Sequence, residues 1–319
     1  MSGDTIRIGT RGSALALAQC TQIATELGKA AGLPFELVEV TTHGDTSTAS
    51  VAQLGSTGVF VTELRQRLLD GDVDVIVHSL KDLPTAPADG LVIAATPRRA
   101  DARDVLIARD GLTLEALPEG AVVGTGSLRR IAQLRAARPD IRITESFRGN
   151  IDTRIGRVAS GELDAVILAA AGVDRLGRAA EATERFELSD WPTAPGQGAL
   201  ALETRADLGT DGTAFSRALV KGLEKIDHAT TRAAVRAERD VLAGLEAGCS
   251  SPVAAQAMVD DGMLFLTATV YATDGSTSLT ASHAAVLDST SAHDMLLAAA
   301  EVAQRAVAEL LEAGAKELA

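Results

Sequence analysis

Aromatic side chains are scarce in this chain: they make up 3% of its 319 residues, with one Trp and one Tyr. Proteins that bind single-stranded nucleic acid stack bases on aromatic platforms, and they attract phosphates with a surplus of positive charge. Here the formal net charge is −13. The composition therefore argues against nucleic acid or an anionic membrane surface as a partner.

Cysteine is also rare. The two cysteines, Cys20 and Cys249, lie far apart and form no C-x-x-C pattern, which favours a reducing compartment and argues against structural zinc. The five histidines show no metal-ligand spacing. No apolar run approaches the length of a membrane span, and the first residues lack the pattern of a secretory signal. We expect a cytoplasmic protein without a metal site.

Two similar α/β domains are predicted from an internal repeat in the sequence. Residues 71–77 are matched by residues 161–167, and residues 8–13 resemble residues 123–127. Each half therefore begins with a strand, a Gly-Thr turn and a helix, and later has a helix, a Gly-acid turn and a buried strand.

Two segments with unusual composition indicate where these domains end. Residues 94–104 and 190–198 are rich in charge or in Pro and Gly, and we expect both to cross between the two domains. Beyond residue 221 the pattern changes to a small α+β domain. Its predicted elements are a helix at 227–245, antiparallel strands at 253–259, 263–272 and 278–286, and a helix at 291–313.

Polar residues that could bind a ligand follow two of the predicted strands, one before a helix and one before a loop. Ser13 is a plausible N-cap beside Arg11, and a helix start with free N–H groups can bind an anion. Cys20 lies on the apolar stripe of that helix and is predicted to be a core thiol. Lys81 and Asp82 follow a buried strand, where open α/β sheets bind ligands. A plain polar transition from strand to loop is the alternative for this stretch.

The turn at residues 124–130 begins like a dinucleotide fingerprint but has arginine at the third glycine position. We interpret it as an anion cradle, with hydroxyls from Thr125 and Ser127 and guanidinium groups from Arg129 and Arg130. Eight arginines lie between 129 and 157. An RNA-binding patch is the competing interpretation, but the stretch has a single aromatic residue. Planar guanidinium forks favour carboxylate ligands instead.

The combination of motifs resembles hydroxymethylbilane synthases, also called porphobilinogen deaminases. The similarity is ordered along nearly the whole chain. It rests on IRIGTRGSALALAQ (6–19), HSLKDLPT (78–85), GTGSLRR (124–130), FRGNIDTR (147–154), AAAGVDRLG (169–177), APGQGALALETR (194–205) and ERDVLAGLEAGCSSPVAA (238–255).

The resemblance implies three domains. Two are α/β domains of the type II periplasmic-binding-protein kind, with the active site between them, and the third is a small C-terminal α+β domain with a three-stranded antiparallel sheet. The expected bounds are 1–97 with 199–217 for domain 1, 98–198 for domain 2 and 218–319 for domain 3. Members are monomeric by family precedent.

The resemblance also implies an activity. The family joins four porphobilinogen molecules head to tail, releasing ammonia each time, to give the linear tetrapyrrole hydroxymethylbilane of haem-type biosynthesis. The chain grows on a dipyrromethane cofactor held by a thioether to a loop cysteine, here Cys249. From its surroundings alone, Cys249 is predicted to be an inert loop residue, so this role depends on the resemblance.

Asp82 matches the family's catalytic aspartate. Gln19, Phe60 and Ser79 fall on positions that line its cleft. The residues expected to bind substrate and cofactor carboxylates are Arg11, Ser13, Lys81, Thr125, Ser127, Arg129, Arg130, Arg148, Arg154 and Arg175.

One position departs from the family pattern. Thr57 stands where many members have a lysine in a glycine-rich loop, which puts the contribution of residues 43–58 to substrate contact in doubt. The alternative to an enzyme is a non-catalytic two-domain clamp for a small polycarboxylate. The absence of a signal peptide and of a DNA-binding segment weighs against a transport or regulatory protein of that kind.

Overall fold

The computed structural model describes residues 4–40, 61–144, 147, 149–248, 251–287, 289 and 291–318. The chain separates into two compact units, one comprising residues 1–99 and 199–232 and the other residues 100–198 and 233–319. Two of the three junctions, 99/100 and 198/199, fall in the segments predicted to cross between domains. The division into three domains remains a prediction, and its boundary at 217/218 falls inside a helix, Ala214–Ile226.

Helices and strands alternate through most of the chain. The strands are β1 (Ile6–Thr10), β2 (Phe35–Glu39), β3 (Val75–Ser79), β4 (Leu91–Ala95), β5 (Asp104–Ala108), β6 (Val122–Gly124), β7 (Arg142–Thr144), β8 (Ala165–Ala169), β9 (Glu184–Arg185), β10 (Leu200–Arg205), β11 (Val253–Asp260), β12 (Met263–Tyr271) and β13 (Ser278–Val286). The α-helices are α1 (Ala14–Ala31), α2 (Thr62–Leu69), α3 (Leu128–Ala137), α4 (Ile151–Ala159), α5 (Ala170–Arg175), α6 (Ala214–Ile226), α7 (Ala229–Gly244) and α8 (Ala292–Glu312).

The two five-stranded sheets have the same topology. The first has the order β2-β1-β3-β10-β4 and the second β7-β6-β8-β5-β9. In each, the first three strands are parallel, and the fourth runs antiparallel to the third. The fourth strand of each sheet is the first strand after a junction segment. The predicted α/β duplication is therefore confirmed.

Local sequence accounts for the start and end of α1. The Ser13 hydroxyl accepts a hydrogen bond from the backbone N–H of Ala16 at 3.3 Å, so the predicted N-cap is confirmed. The helix runs to Ala31 and stops at Gly32, whose φ of 71° is left-handed. Cys20 is 1% exposed and belongs to the core under the first sheet, as predicted.

The third sheet has the order β11-β12-β13 and is antiparallel, as predicted. Helix α8 packs on one face of it. The β12–β13 turn approaches α3 so closely that only glycine fits at Gly275, where φ is 77°. A Cβ there would lie 2.8 Å from the carbonyl oxygen of Ala132. The third sheet is thereby fixed against the helix that follows the predicted anion cradle.

None of the helices in the described ranges has both the length and the apolar character needed to cross a membrane.

Candidate active site

Unit 1 collects four of the predicted site residues at one edge of its sheet. Arg11 and Ser13 follow β1, and Lys81 and Asp82 follow β3, ending in the short 3₁₀ turn Leu80–Asp82. Strands β1 and β3 are parallel neighbours, so their carboxyl ends lie at the same edge. The Asp82 side chain is exposed there, and it makes no hydrogen bond to any other described residue.

The predicted cleft residues Gln19 and Ser79 contact each other in unit 1. The Gln19 amide nitrogen donates to the Ser79 hydroxyl at 3.2 Å, and Gln19 is 6% exposed. This bond joins α1 to the last residue of β3, three positions before Asp82. The structure therefore anchors the backbone that leads to Asp82 while leaving the carboxylate accessible.

Unit 2 repeats this edge with cationic and hydroxyl groups. Thr125 and Ser127 follow β6, and Arg175 ends α5, which begins directly after the parallel neighbour β8. The Thr125 hydroxyl accepts a hydrogen bond from the Ser127 backbone N–H at 3.3 Å. Arg154 lies on α4, where its guanidinium stacks on the Phe147 ring at 5.2 Å from the centroid.

Arg129 and Arg130 are buried, at 2% and 6% exposure, and both pair with Asp104. Arg130 donates from Nε and Nη2 to the two carboxylate oxygens at 3.0 and 2.5 Å. Arg129 donates from Nη2 at 2.8 Å, and its Nη1 donates to Gln133 Oε1 at 2.6 Å. The two guanidinium groups are thus held by the protein itself, which the anion-cradle interpretation did not anticipate.

Sequence reasoning missed Asp104, which it treated only as the end of a crossing segment. Asp104 begins β5, whose five residues are all buried, and its own exposure is 0%. A carboxylate inside an otherwise apolar strand needs a buried partner, because burying an unpaired charge is costly. That signal was present in the sequence, but it does not identify the partners 25 and 26 residues away.

Around Asp104, two buried guanidinium groups share one buried carboxylate. Burial alone would raise the pKa of Asp104, but Arg129 and Arg130 outweigh it and hold that pKa far below its usual range. One carboxylate faces two guanidinium groups, so one positive charge is left over. Burial also lowers the pKa of Arg175, which donates to the Gly198 carbonyl at 3.1 Å and has no carboxylate partner in the described part of the chain.

Several predicted positions lie outside the described residues: Phe60, Thr57, Arg148 and Cys249. Among the residues that the structure does describe, no group of three or more His, Cys, Asp or Glu side chains could hold a metal ion. The groups that could hold an anionic cofactor are the cations and hydroxyls at the unit 2 edge.

The duplicated sheets and their polar edges define a mixed α/β protein with two like five-stranded sheets. Comparison with known proteins is more specific. The family model described as "Porphobilinogen deaminase, dipyromethane cofactor binding domain" matches residues 6–210, and "Porphobilinogen deaminase, C-terminal domain" matches residues 232–312. The chain therefore belongs to the porphobilinogen deaminase family.

Curated relatives agree with this. The chain is 60% identical to the porphobilinogen deaminase of Leifsonia xyli subsp. xyli over 315 residues, 98% of this chain and 94% of the relative. It is 48% identical to that of Thermobifida fusca over 319 residues, 100% of this chain and 97% of the relative. A periplasmic substrate-binding protein from Coxiella burnetii shows a structural likeness at TM-score 0.42 and 15% identity, over 69% of this chain and 92% of that one.

The activity follows from the family. The chain is a transferase of tetrapyrrole biosynthesis that condenses four porphobilinogen molecules head to tail, with release of ammonia, to give hydroxymethylbilane. Its cofactor is dipyrromethane, and residues 6–210 match the domain that binds it. The positive charge that Asp104 leaves unmatched on Arg129 and Arg130 fits a group that carries several carboxylates.

Proposed function

We propose that Asp82 is the catalytic carboxylate of this condensation and that the cations of the two sheet edges bind the acetate and propionate groups of the pyrroles. Loss of ammonia from porphobilinogen leaves a cationic methylene-pyrrole. An accessible carboxylate on an anchored backbone can stabilise that cation, accept hydrogen bonds from pyrrole N–H groups and transfer protons during substitution. The Asp82 side chain follows β3 and is exposed, so its carboxylate is accessible to a pyrrole.

The binding of carboxylates is supported by one observation above the others: the buried guanidinium groups around Asp104 outnumber the carboxylate that they contact. Arg129 and Arg130 share Asp104, and Arg175 has no carboxylate partner among the described residues. An anionic ligand would complete this balance, because a buried cation is stabilised by an opposite charge at hydrogen-bond distance. Thr125, Ser127, Arg148 and Arg154 are proposed to assist, as are Arg11, Ser13 and Lys81 in unit 1.

Cys249 is proposed to hold the dipyrromethane through a thioether, with the unit 2 cations neutralising its carboxylates. When bound, that group supplies the pyrrole carbon to which the first substrate is joined. The chain's own contribution is to orient carboxylates through the guanidinium groups and to hold the proton-transferring carboxylate at Asp82. Gln19, Phe60 and Ser79 are proposed to line the cleft.

We also propose the compartment, the partners and the oligomeric state of the protein. Two cysteines, one of them buried in the core, suit a reducing compartment, and we infer that the protein works in the cytoplasm. Its substrate is a small molecule, and the net charge of −13 disfavours nucleic acid as a partner. We further propose that it acts as a monomer, as the family resemblance implies.

The proposal is tested by intact mass together with turnover. Protein made in cells should be heavier than its sequence by two linked pyrrole units, and peptide mapping should place them on Cys249. A fully folded, unmodified protein that still builds tetrapyrrole would contradict the cofactor assignment. Consumption of porphobilinogen with release of ammonia separates an enzyme from a non-catalytic polycarboxylate clamp, which would bind the substrate unchanged.

A further inference from the structure

Asp104 is the centre of a buried hydrogen-bond network in unit 2. Besides the three bonds from Arg129 and Arg130, it accepts one from Trp191 Nε1 at 3.1 Å and one from Gln197 Nε2 at 2.8 Å. Five donors around one carboxylate account for all its acceptor directions. The carboxylate cannot rotate without breaking several of these bonds.

The network extends from Asp104 to the third guanidinium group. Gln197 also donates to the carbonyl oxygen of Ala102 at 2.8 Å, which fixes the loop around it. The next residue, Gly198, accepts the hydrogen bond from Arg175 at 3.1 Å. Gly198 has a φ of 84°, and a Cβ there would lie 2.9 Å from the Ala100 carbonyl oxygen, so only glycine fits in this position.

On the opposite side, Arg129 is restrained by Gln133. The Gln133 amide nitrogen donates to the Pro192 carbonyl at 2.9 Å and to the Tyr271 hydroxyl at 3.2 Å, so its oxygen is left to face Arg129. Arg129 Nη1 also donates to Pro192 at 3.0 Å. Both ends of the guanidinium group are therefore held, one by Gln133 and the other by Asp104.

A purely structural ion pair would balance its charges, because an unmatched buried charge lowers stability. The Asp104 network does not, since it holds two guanidinium groups on one carboxylate. Asp104 orients both guanidinium groups but neutralises only one of their two positive charges. The pair can therefore bind a further anion.

We infer that Asp104 is a positioning residue of the condensation: it fixes the directions of Arg129 and Arg130, and through Gln197 the loop that holds Arg175, so that together they bind substrate carboxylates. This inference rests on the proposed carboxylate-binding role of the arginines. Asp104 itself is fully buried, so it acts through the side chains that it orients.

Trp191 supplies a reporter for this network. It is the only tryptophan in the chain, and it stacks on Phe186 with ring centroids 4.5 Å apart while its indole N–H bonds to Asp104. A ligand carboxylate that pairs with Arg129 or Arg130 changes the electric field at the Trp191 indole, which lies beside the same ionised Asp104. Saturating porphobilinogen should therefore change the Trp191 emission of the holoenzyme before the first turnover, as read by stopped flow.

Three variants test the inference through the split between KM and kcat. Asp104→Asn removes the charge, and Asp104→Glu keeps it but moves it by one methylene. The matched control is Asp101→Asn, because Asp101 also bridges two arginines, Arg103 and Arg185, that have no proposed part in the site. We expect KM for porphobilinogen to rise about tenfold in Asp104→Glu, with a smaller change in kcat, since misdirected guanidinium groups lose charge-assisted hydrogen bonds.

The outcomes separate the inference from the function on which it rests. A KM within about twofold of wild type in folded Asp104→Glu, while Arg129→Gln raises KM, overturns the inference and leaves the proposed function standing. An unchanged KM in Arg129→Gln as well overturns both.

If Asp104→Asn fails to fold, Asp104→Glu and the emission of Trp191 still decide, and an emission that does not respond to saturating substrate counts against the inference. A tenfold rise in KM for Asp101→Asn would likewise contradict it, because any lost ion pair would then have the same effect.

Discussion

Gln19 and Ser79 hydrogen-bond to each other across unit 1, with 3.2 Å between the Gln19 amide nitrogen and the Ser79 hydroxyl oxygen. The bond ties a buried position of α1 to the last residue of β3. Asp82 follows three residues later with its side chain exposed. The backbone near Asp82 is therefore supported by groups other than the Asp82 carboxylate.

Asp82→Asn should lower turnover by at least ~10²-fold, the scale of lost acid–base assistance, while leaving the fold intact. The reason is that the carboxylate makes no hydrogen bond to another described residue, so its loss removes chemistry and not packing. Steady-state kinetics and circular dichroism measure the two effects. Glu26→Gln, an exposed change on α1, is the control. Near-normal turnover in Asp82→Asn would contradict the proposed role.

Arg175→Met should lower porphobilinogen turnover but leave the protein at least as stable as wild type in the absence of substrate. Burial lowers the pKa of Arg175, and no carboxylate in the described part of the chain compensates for its charge. A neutral side chain of similar length avoids this cost, and a gain of about 1 kcal/mol in the free energy of unfolding is reasonable. Urea unfolding measures it.

The control for Arg175→Met is Arg185→Met in the same unit. Arg185 pairs with Asp174 at 2.6 Å and with Asp101 at 3.0 Å, and the hydrogen bond that it donates to Asp174 raises its pKa. This variant should be less stable than wild type and should keep its KM. If Arg175→Met proved the less stable of the two, Arg175 would be a structural residue.

The free energy of unfolding should depend on pH through Glu203 in unit 1. Burial alone would raise the pKa of Glu203, but the His78 imidazole, whose Nε2 lies 3.3 Å from Glu203 Oε2, and the Arg65 guanidinium outweigh it, so the pKa lies below its ordinary value of 4.5. Arg65 donates to both carboxylate oxygens, at 2.9 and 2.8 Å. A depressed pKa gives stability that is complete above pH 4.5 and is lost as the pH falls toward the folded-state pKa.

Glu203→Gln should therefore lower the free energy of unfolding by about 1–3 kcal/mol at pH 7, because Arg65 and His78 lose their anion. The difference from wild type should shrink as the pH is lowered below about 4. Urea unfolding at both pH values checks this. An equal loss at both would mean that the ionisation of Glu203 contributes nothing.

Cys20 should resist alkylation in the native holoenzyme at pH 8. Burial raises the pKa of its thiol to about 11, and the side chain is 1% exposed, so the reactive thiolate is both scarce and inaccessible. After unfolding in urea, iodoacetamide should label Cys20 but not Cys249, whose sulfur is proposed to be in a thioether. Peptide mass spectrometry distinguishes the two sites. Rapid labelling of Cys20 in the native protein, or labelling of Cys249 after unfolding, would contradict this account.

The sequence by itself determined the elements that depend on local pattern. The Ser13 cap, the core position of Cys20 and the three antiparallel strands all follow from apolar periodicity and turn residues a few positions apart. The echo between the two halves predicted two sheets of like topology, and the ordered motifs indicated the family. These signals are short in range, so they can be read along the chain.

Only the tertiary structure decided which charges neutralise each other. Arg129 and Arg130 have the same appearance in the sequence as exposed arginines, yet both are buried on Asp104, and Arg175 is partly buried without an acidic partner among the described residues. The physical reason is that a buried charge is stabilised by whichever opposite charge folding brings within hydrogen-bond distance. That distance is set by strand order and helix packing and not by separation along the chain.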